Sequence, residues 1–267
     1  MTTDSDPNSL IGKTTQTVGN TTIRFDKKND MCSWISQDFV DVISDKNSGL
    51  TFDSCLEWCS GSGFIGLRLL ESGVCNHVTF LESSDDCVND IQETLNDPSN
   101  AHLASKVSII TGTSITDLSN SKFDLIVGNP PFSGTTDYPF YQLLYNKLLS
   151  VLEESHVPNP TMEMVEACWP KNNIIDENWN IHKDFFSNVK NNLNSNGVIY
   201  LIEHSDSSNA NTFSSFVSDG GLQITDTLTY KTLIQNPSYD ALVNYLGQEL
   251  PDSQDNSGFY YLEIKSA

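Results

Sequence analysis

The sequence predicts a doubly wound α/β domain with a mostly parallel sheet of seven strands and an antiparallel edge strand. Two observations predict this fold. From about residue 50 to residue 220, short apolar runs alternate with segments of helical spacing, which is typical of βαβ units and a parallel sheet. The last two apolar runs, at residues 222–230 and 259–265, follow each other with no helical pattern between them, which indicates antiparallel strands at one edge.

The individual elements follow from the spacing of apolar residues. Strands are expected at residues 55–59, 77–82, 107–110, 123–127 and 197–203. Helices are expected at residues 64–72, 85–95, 138–152 and 181–193, and around 213–218. Proline cannot continue a helix, so the second helix ends before Pro98, and an Asn-Ser-Asn-Gly turn ends the fourth.

The length of 267 residues indicates one large domain with an extension. Residues 1–45 are expected to form an N-terminal tail and lid-like extension, in which residues 1–20 are a mobile polar tail, 21–28 a strand and 34–43 a helix. Residues 46–267 are expected to form the main domain. The stretch 153–180 is too long for an ordinary helix-to-strand connection, so it is either an insertion over the substrate side or a surface loop.

The composition limits the possible partners. The chain has 14 Lys and Arg and 35 Asp and Glu, which gives a net charge of −21. This charge disfavours extensive binding to nucleic-acid phosphates. No apolar run approaches the roughly 20 residues that span a bilayer, and the polar N-terminus does not look like a secretory signal. The six cysteines have neither CxxC pairs nor metal-ligand spacing, so we expect a cytoplasmic protein without a metal or a membrane partner.

A glycine-rich turn follows the first parallel strand. It reads Glu57-Trp-Cys-Ser-Gly61-Ser-Gly63-Phe-Ile-Gly66, and ligands of doubly wound sheets bind at the carboxyl ends of the strands. Glycines without side chains let a flat ligand approach the backbone. Glu82 ends the next strand, where a carboxylate can accept from both hydroxyls of a ribose. The alternatives are a tight turn needed only for packing, or a dinucleotide site.

A second turn, Asn129-Pro130-Pro131-Phe132, follows the fourth parallel strand. Proline has a fixed φ and no N–H, so this stiff backbone presents carbonyl acceptors, and the Asn129 amide oxygen adds another acceptor. Two acceptors and the aromatic face of Phe132 would suit a planar group that carries an NH₂. The alternative is an ordinary loop with Phe132 in the core.

Two more residues follow elements of the same predicted edge. His204 follows the strand at 197–203, where it would contact substrate or lie in an exposed loop. Tyr138 follows the Pro-Pro turn, where it would line the substrate site or begin a core-facing helix. These residues complete the set of candidates that the sequence offers.

The pairing of the two motifs resembles the class I S-adenosylmethionine-dependent methyltransferases, which have a Rossmann-like fold. The Asn-Pro-Pro-Phe motif resembles more narrowly the branch that methylates amino nitrogens. That branch includes DNA adenine-N6, ribosomal RNA guanine-N2 and protein-glutamine N5 enzymes. The resemblance covers about residues 50–265.

The resemblance implies S-adenosyl-L-methionine as the cofactor and assigns roles to single residues. Asn129, Pro130 and Phe132 would be catalytic, and Pro131, Tyr138 and His204 would bind substrate. The cofactor would be bound by Glu57, Cys59, Gly61, Gly63, Phe64, Glu82, Ser83, Thr113, Ser114 and Asn129. The chain departs from the pattern twice: Cys59 stands where the family usually has glycine, and Thr113 and Ser114 stand where it usually presents an aspartate to the adenine, with Asp117 further on.

The function implied is transfer of a methyl group to an amino or amide nitrogen of a protein side chain or a small metabolite. A nucleic-acid N-methyltransferase, acting on DNA adenine or an RNA base, is the alternative that shares the motif. A non-catalytic scaffold that binds the cofactor is a further alternative. The partner would be a protein or small-molecule methyl acceptor.

Overall fold

The computed structural model describes residues 12–26, 33, 35–136, 146, 174–205, 207–229 and 259–267. Seven of the described strands form one sheet, as the sequence predicts. They are β3 Cys55–Trp58, β4 Val78–Glu82, β5 Val107–Thr111, β6 Phe123–Gly128, β7 Leu193–His204, β8 Leu222–Leu228 and β9 Phe259–Ser266. The helices that pack on the sheet are α1 Ser36–Lys46, α2 Phe64–Glu71, α3 Asp85–Asn96, α4 Asn180–Asn188 and α5 Ala210–Asp219.

The order of strands in the sheet is β5-β4-β3-β6-β7-β9-β8. The first five of these are parallel, and β9 pairs antiparallel with both β7 and β8. The order reverses between β3 and β6, where the chain first builds outward to β5 and then returns to the other side of β3. In doubly wound folds this switch point is where a crevice opens at the carboxyl ends of the strands.

The two faces of the sheet carry separate hydrophobic cores. Buried residues of α1, α2 and α3, such as Phe39, Ile65 and Ile91, pack on one face. Buried residues of α4 and α5, such as Phe186 and Phe213, pack on the other. A sheet covered on both sides explains why its strands are almost continuously apolar in sequence.

The expectation of a polar tail over the first 20 residues is wrong for residues 13–18. They form β1 Lys13–Val18, which pairs antiparallel with β2 Thr21–Asp26. The two-residue loop Gly19-Asn20 joins the strands, with Gly19 at φ +57, as a tight hairpin turn requires. The hairpin is anchored to the domain, because the Phe25 ring packs edge-on against Phe64 at the start of α2, with ring centroids 4.8 Å apart.

One predicted boundary also moves. The helix expected at 181–193 ends at Asn188 and continues as a short 3₁₀ turn, Val189–Asn192, before β7 begins. The Asn-Ser-Asn-Gly sequence that was expected to be a turn lies inside β7, where the pairing with β6 shifts register between Phe123 and Leu125. An irregularity in the pairing accommodates these turn-forming residues. The helix predicted at 138–152 lies outside the described residues.

No helix within the described ranges has the length and apolar character needed to cross a membrane.

Candidate active site

The two sequence motifs leave the sheet side by side. β3 and β6 are parallel neighbours, and Trp58 at the end of β3 lies opposite Gly128 at the end of β6. The glycine-rich turn that begins at Cys59 and the turn that begins at Asn129 therefore start at the same edge of the sheet, at the switch point. The topology brings together the two motifs that the sequence singles out.

The glycine-rich turn uses left-handed backbone at three positions. Cys59, Gly61 and Gly63 have φ of 54°, 53° and 80°. Glycine adopts this conformation at no steric cost, whereas a residue with a Cβ loses roughly 1 kcal/mol there. The Cys59 side chain packs against the core cluster on the α4 and α5 face, so this departure from glycine is accommodated with some backbone strain.

Gly66 is required by the close approach of α2 to the sheet. A Cβ at this position would lie 2.7 Å from the Phe80 ring, 2.7 Å from Val78 and 2.8 Å from the Glu57 Oε2 atom. The Gly66 N–H donates to Glu57 Oε2 at 2.7 Å. The third glycine of the motif thus brings the first turn of α2 onto β3, which places the helix N-terminus at the switch point.

Glu57 is fully buried under this turn. Burial raises the pKa of its carboxyl to about 8, although hydrogen bonds from the Gly66 and Ile65 backbone oppose the rise. Its Oε1 atom has no hydrogen-bond partner among the described residues, and neither has the buried Ser60 hydroxyl in the same turn. Buried polar atoms are normally hydrogen-bonded, so these two point to a polar ligand that the turn receives.

Glu82 fixes the backbone at the carboxyl ends of β3 and β4. Its Oε2 accepts from the Gly61 N–H at 2.7 Å, and its Oε1 accepts from the Ser83 and Ser84 N–H groups at 2.8 Å each. Burial raises the pKa of the Glu82 carboxyl, and the backbone donors lower it in part. The carboxylate is thereby fixed at the end of β4, within reach of the glycine-rich turn.

The turn after β6 is buried in this structure. Asn129 is 8% exposed and Phe132 is 1% exposed. The Phe132 ring packs edge-on against Phe259, with centroids 5.4 Å apart, and the Ser207 hydroxyl donates to the Phe132 carbonyl. Phe132 is therefore a core residue as well as a candidate for the acceptor site.

His204 ends β7 and is 3% exposed, so the alternative of an exposed loop is wrong for this residue. Its ring packs edge-on against Phe259 at 4.5 Å, and its carbonyl accepts from the Ser207 and Ser208 N–H groups. β7 continues beyond the position expected from the sequence, and this extension carries His204 into the packed interior.

Thr113 and Ser114 follow β5 on the same edge of the sheet. Both N–H groups donate to Asp117 Oδ2, at 2.9 and 3.0 Å, so Asp117 caps the 3₁₀ turn Ile115–Leu118. The Ser114 hydroxyl donates to Asp184 of α4. The backbone of this loop is thus fixed by its own side chains, while Thr113 remains exposed.

A buried charged cluster at the carboxyl end of β7 was not predicted. His182 of α4 lies between two carboxylates, with Nδ1 2.6 Å from Asp176 Oδ2 and Nε2 2.9 Å from Glu203 Oε1. The available signal was Glu203 itself, an acidic residue that ends the apolar run of β7.

Tyr138 and residues 153–173 of the expected insertion lie outside the described residues.

No group of three or more His, Cys, Asp or Glu among the described residues is arranged to hold a metal ion.

Comparisons with known proteins agree on the class of enzyme. The family model of the methyltransferase small domain matches residues 36–154, which contain both motifs. No curated protein sequence matches the chain.

Solved structures with a similar fold are methyltransferases by their descriptions. An S-adenosylmethionine-dependent methyltransferase from Clostridium acetobutylicum is 12% identical, with a TM-score of 0.51, and the match covers 89% of this chain and 93% of the other. A mitomycin 7-O-methyltransferase is 11% identical, with a TM-score of 0.52, and covers 90% and 56%. A glycopeptide N-methyltransferase, solved with S-adenosyl-L-methionine, is 11% identical, with a TM-score of 0.50, and covers 89% and 96%.

The solved structures show the fold, and the family match over residues 36–154 gives the reaction class and the cofactor. The chain has the fold of the class I methyltransferases, and it is an S-adenosylmethionine-dependent methyltransferase. The residues at the switch point fit this cofactor, because the turn offers two buried polar atoms without partners and a fixed carboxylate on the neighbouring strand. Both an O- and an N-methyltransferase share the fold, so the fold alone does not select the acceptor atom.

Proposed function

For this S-adenosylmethionine-dependent methyltransferase, we propose that the methyl acceptor is an amino or amide nitrogen of a protein side chain or a small metabolite. One observation carries the proposal: the Asn129-Pro130-Pro131-Phe132 turn leaves β6 directly beside the glycine-rich turn of β3. A turn rich in acceptors at this place suits an NH₂ group, whose two hydrogens both need partners.

The cofactor side is assigned to residues that surround the glycine-rich turn. Glu57 Oε1 and the backbone of Gly61 and Gly63 would bind the methionine portion, since the bare backbone and the carboxyl oxygen without a partner among the described residues lie there. Glu82 would bind the ribose hydroxyls with the carboxylate that the Gly61 N–H already orients. The remaining candidates at the edge of this site are Cys59, Phe64, Ser83, Thr113 and Ser114. The cofactor supplies an activated methyl group on a sulfonium.

The acceptor side is assigned to the turn after β6. Asn129 Oδ1 and the Pro130 carbonyl would accept the two hydrogens of the NH₂, which directs the nitrogen lone pair toward the donor. Alignment at about 3–3.5 Å supplies much of the rate in such reactions. The Phe132 ring would stabilise the positive charge that forms on nitrogen, by roughly 0.5–2 kcal/mol. His204 and Pro131 would support this wall, since His204 packs on the same Phe259 ring as Phe132.

The net charge favours a protein or a metabolite over a nucleic acid as substrate. A charge of −21 repels phosphate backbones, whose binding depends on Lys and Arg. The test is transfer of a tritiated methyl group from the cofactor into a cell extract that is afterwards separated into protein, nucleic acid and metabolite fractions. Label in protein or metabolite supports the proposal, and label confined to nucleic acid contradicts it.

Asn129→Ala separates the acceptor role from cofactor binding. We expect turnover to fall by about a hundredfold, because a preorganised polar group at the reacting centre is lost, while the Kd of S-adenosylhomocysteine changes less than about threefold. Asn76→Ala is the matched control, since Asn76 is an exposed amide at the opposite edge of the sheet that donates to Asp53. Equal losses of turnover and affinity in Asn129→Ala would contradict the assignment, as would normal turnover.

A further inference from the structure

The Asp176, His182 and Glu203 cluster has features that packing alone does not require. All three side chains are at most 1% exposed. Aromatic rings surround the imidazole: Phe213 stacks on it at 5.0 Å, and Trp58 and Trp179 approach it edge-on at 5.8 and 5.3 Å. Burying charge among apolar rings is costly unless each charge is paired, so removing one member of the cluster should have a large effect.

The geometry suits a charged cluster. Each ring nitrogen of His182 faces a carboxyl oxygen, so with both carboxyl groups ionised both nitrogens donate and the ring is an imidazolium. Burial raises the pKa of Glu203, and the charge and hydrogen bond of His182 lower it in part. Burial alone lowers the pKa of His182, but the charges and hydrogen bonds of Glu203 and Asp176 outweigh it and raise the pKa to about 9. Tyr260 of β9 also faces Glu203, and burial together with the Glu203 charge raises the pKa of its phenol.

Asp176 connects this cluster to the chain that follows Phe132. The Asp176 N–H donates to the Ser133 carbonyl at 2.8 Å, and the Ser133 N–H donates to the Ile174 carbonyl at 3.2 Å, as in a short parallel bridge. One position further, the Asn178 N–H donates to the Gly134 carbonyl at 3.0 Å. The chain just after the Asn129–Phe132 turn, hereafter the acceptor turn, is therefore paired with the segment that carries Asp176.

The carboxylate of Asp176 extends the connection into α4. It accepts from the Ile181 and His182 N–H groups, at 2.8 and 3.0 Å, in addition to the imidazole. His182 in turn reaches Glu203 on β7, two residues beyond Leu201, which lies opposite Gly128 at the end of β6. The acceptor turn is thus fixed at its start by β6. At its end it is fixed by the series of contacts from Asp176 through His182 to Glu203 on the neighbouring strand β7.

We propose that Asp176, His182 and Glu203 form an ionic clamp that positions the end of the Asn-Pro-Pro-Phe turn, and with it the methyl acceptor. The clamp rests on the proposed function for its effect on catalysis, but its effect on the turn does not depend on the substrate. The three residues act as positioning residues, because they act on the acceptor through Ser133 and Gly134. Glu203 Oε2 has no hydrogen-bond partner among the described residues, which leaves the charge of Glu203 to be balanced mainly by His182.

The experiment is amide hydrogen exchange on the full chain, with and without Glu203→Gln. The substitution keeps the shape of the side chain and removes its charge. We expect the N–H groups of Ser133, Asp176 and Asn178 to exchange at least about tenfold faster, while those of Gly61 and Gly66 change less than about twofold. The Kd of S-adenosylhomocysteine should also change less than about twofold, because the cofactor turn has its own contacts.

His102→Gln is the matched control. It removes another His–carboxylate contact, 2.8 Å from His102 Nε2 to Glu71 Oε1, which lies away from the acceptor turn. Exchange at Ser133 should not change in this variant. Unchanged exchange at Ser133 in Glu203→Gln, or equal acceleration across the whole sheet, would overturn the clamp.

A measurement on the unmodified protein decides the matter if Glu203→Gln does not fold. Nitrogen-15 NMR of the His182 ring should show both ring nitrogens protonated at neutral pH. A ring with one N–H would overturn the ionic clamp. If the exchange and NMR results support the clamp but methyl transfer does not depend on Asn129, the proposed function is wrong and the clamp is retained. If methyl transfer is established, Glu203→Gln should lower kcat and leave the KM for the cofactor unchanged.

Discussion

The glycine-rich turn and the acceptor turn lie side by side on one sheet edge, yet they are held in different ways. The first is held by nearby residues of its own βαβ unit: Gly66 bonds to Glu57 nine positions away, and Gly61 bonds to Glu82 21 positions away. The second is held by distant ones, since the Phe132 carbonyl accepts from Ser207, 75 positions further along the chain.

This difference has a consequence for function and for evolution of the site. A turn built from local contacts forms whenever its βαβ unit forms, and it can be carried as a sequence motif. A turn fixed by distant residues can change its partners without changing its own sequence. Under the proposed assignment, the local turn would bind the cofactor, and the distant residues that support the other turn would shape the acceptor site.

The largest effect is expected from Gly66→Ala, which breaks the local turn. The new Cβ would lie under 3 Å from Phe80, Val78 and Glu57, and helix α2 would have to move away from the sheet. Overpacking of this kind costs about 1–3 kcal/mol of stability. We expect a lower Tm and at least about tenfold weaker binding of S-adenosylhomocysteine, measured by calorimetry.

Amide hydrogen exchange at Ser133 and Asp176 in Gly66→Ala tests whether the two turns are held independently. If the two turns are held independently, those N–H groups should remain protected in Gly66→Ala relative to the rest of the sheet. A variant with wild-type affinity would show that the close approach at Gly66 does not shape the cofactor site.

The next effect concerns the pH dependence of Glu57. Its pKa in the folded protein, about 8, lies above the ordinary value of 4.5, so the folded state binds this proton more tightly than the unfolded state. Its stabilising contribution is complete below the ordinary pKa and is lost as the pH rises through about 8. Glu57→Gln cannot lose a proton, so its Tm should fall less than that of the wild type between about pH 6 and pH 9.

Glu71→Gln serves as the control for this prediction. Burial raises the pKa of Glu71, but hydrogen bonds from Asn20, His102 and Thr21 outweigh it and lower that pKa. Its contribution is therefore lost only as the pH falls toward the acid range. The Tm difference between Glu71→Gln and the wild type should be constant above about pH 7. A parallel pH profile of Glu57→Gln and the wild type would show that Glu57 is ionised throughout.

The smallest effect is expected from Ser207→Ala, which removes one distant support of the acceptor turn. The Phe132 carbonyl loses a hydrogen bond, worth about 1 kcal/mol in stability. Turnover should fall while the Kd of S-adenosylhomocysteine is unchanged. Ser214→Ala is the matched control, because within the described part of the chain that hydroxyl donates to the Asn211 carbonyl on α5 and does not reach the acceptor turn. A loss of cofactor affinity in Ser207→Ala would contradict the independence of the two turns.

The parallel strands and the helices that flank the first motif were predictable from the sequence. β3 to β6 and α2 to α5 lie at the places that apolar spacing indicates, because a sheet covered on both faces makes its strands apolar along their length. The strand at residues 21–28 was expected to enter a hairpin, but β1 was missed, since its Thr and Gln residues carry no apolar signal and its pairing with β2 depends on the Gly19-Asn20 turn. The extension of β7 was missed because its first residues are typical of turns.

In the candidate site, too, the residues set by local spacing were predictable and those set by distant contacts were not. Gly61 and Glu82 stand in a spacing that indicates their place at the ends of strands, and the structure has Glu82 at the end of β4 and Gly61 in the turn after β3. Gly66 lies in the first turn of the helix that follows, α2. The roles of His182 and Asp176 could not be predicted, because they depend on contact with Glu203. That contact is set by the packing of α4 on β7. Which polar residues become buried together is decided by distant segments that meet only in the folded chain.

By itself, the sequence determined the order of strands and helices and the two turns at the switch point, because periodicity and glycine or proline geometry act over a few residues. Only the tertiary structure decided that β3 and β6 pair directly, that Phe132 and His204 are buried, and that the His182 ring lies between the carboxyl groups of Asp176 and Glu203. The physical reason is that burial and charge pairing depend on contacts between residues far apart in the chain, and such contacts have no signature in local spacing.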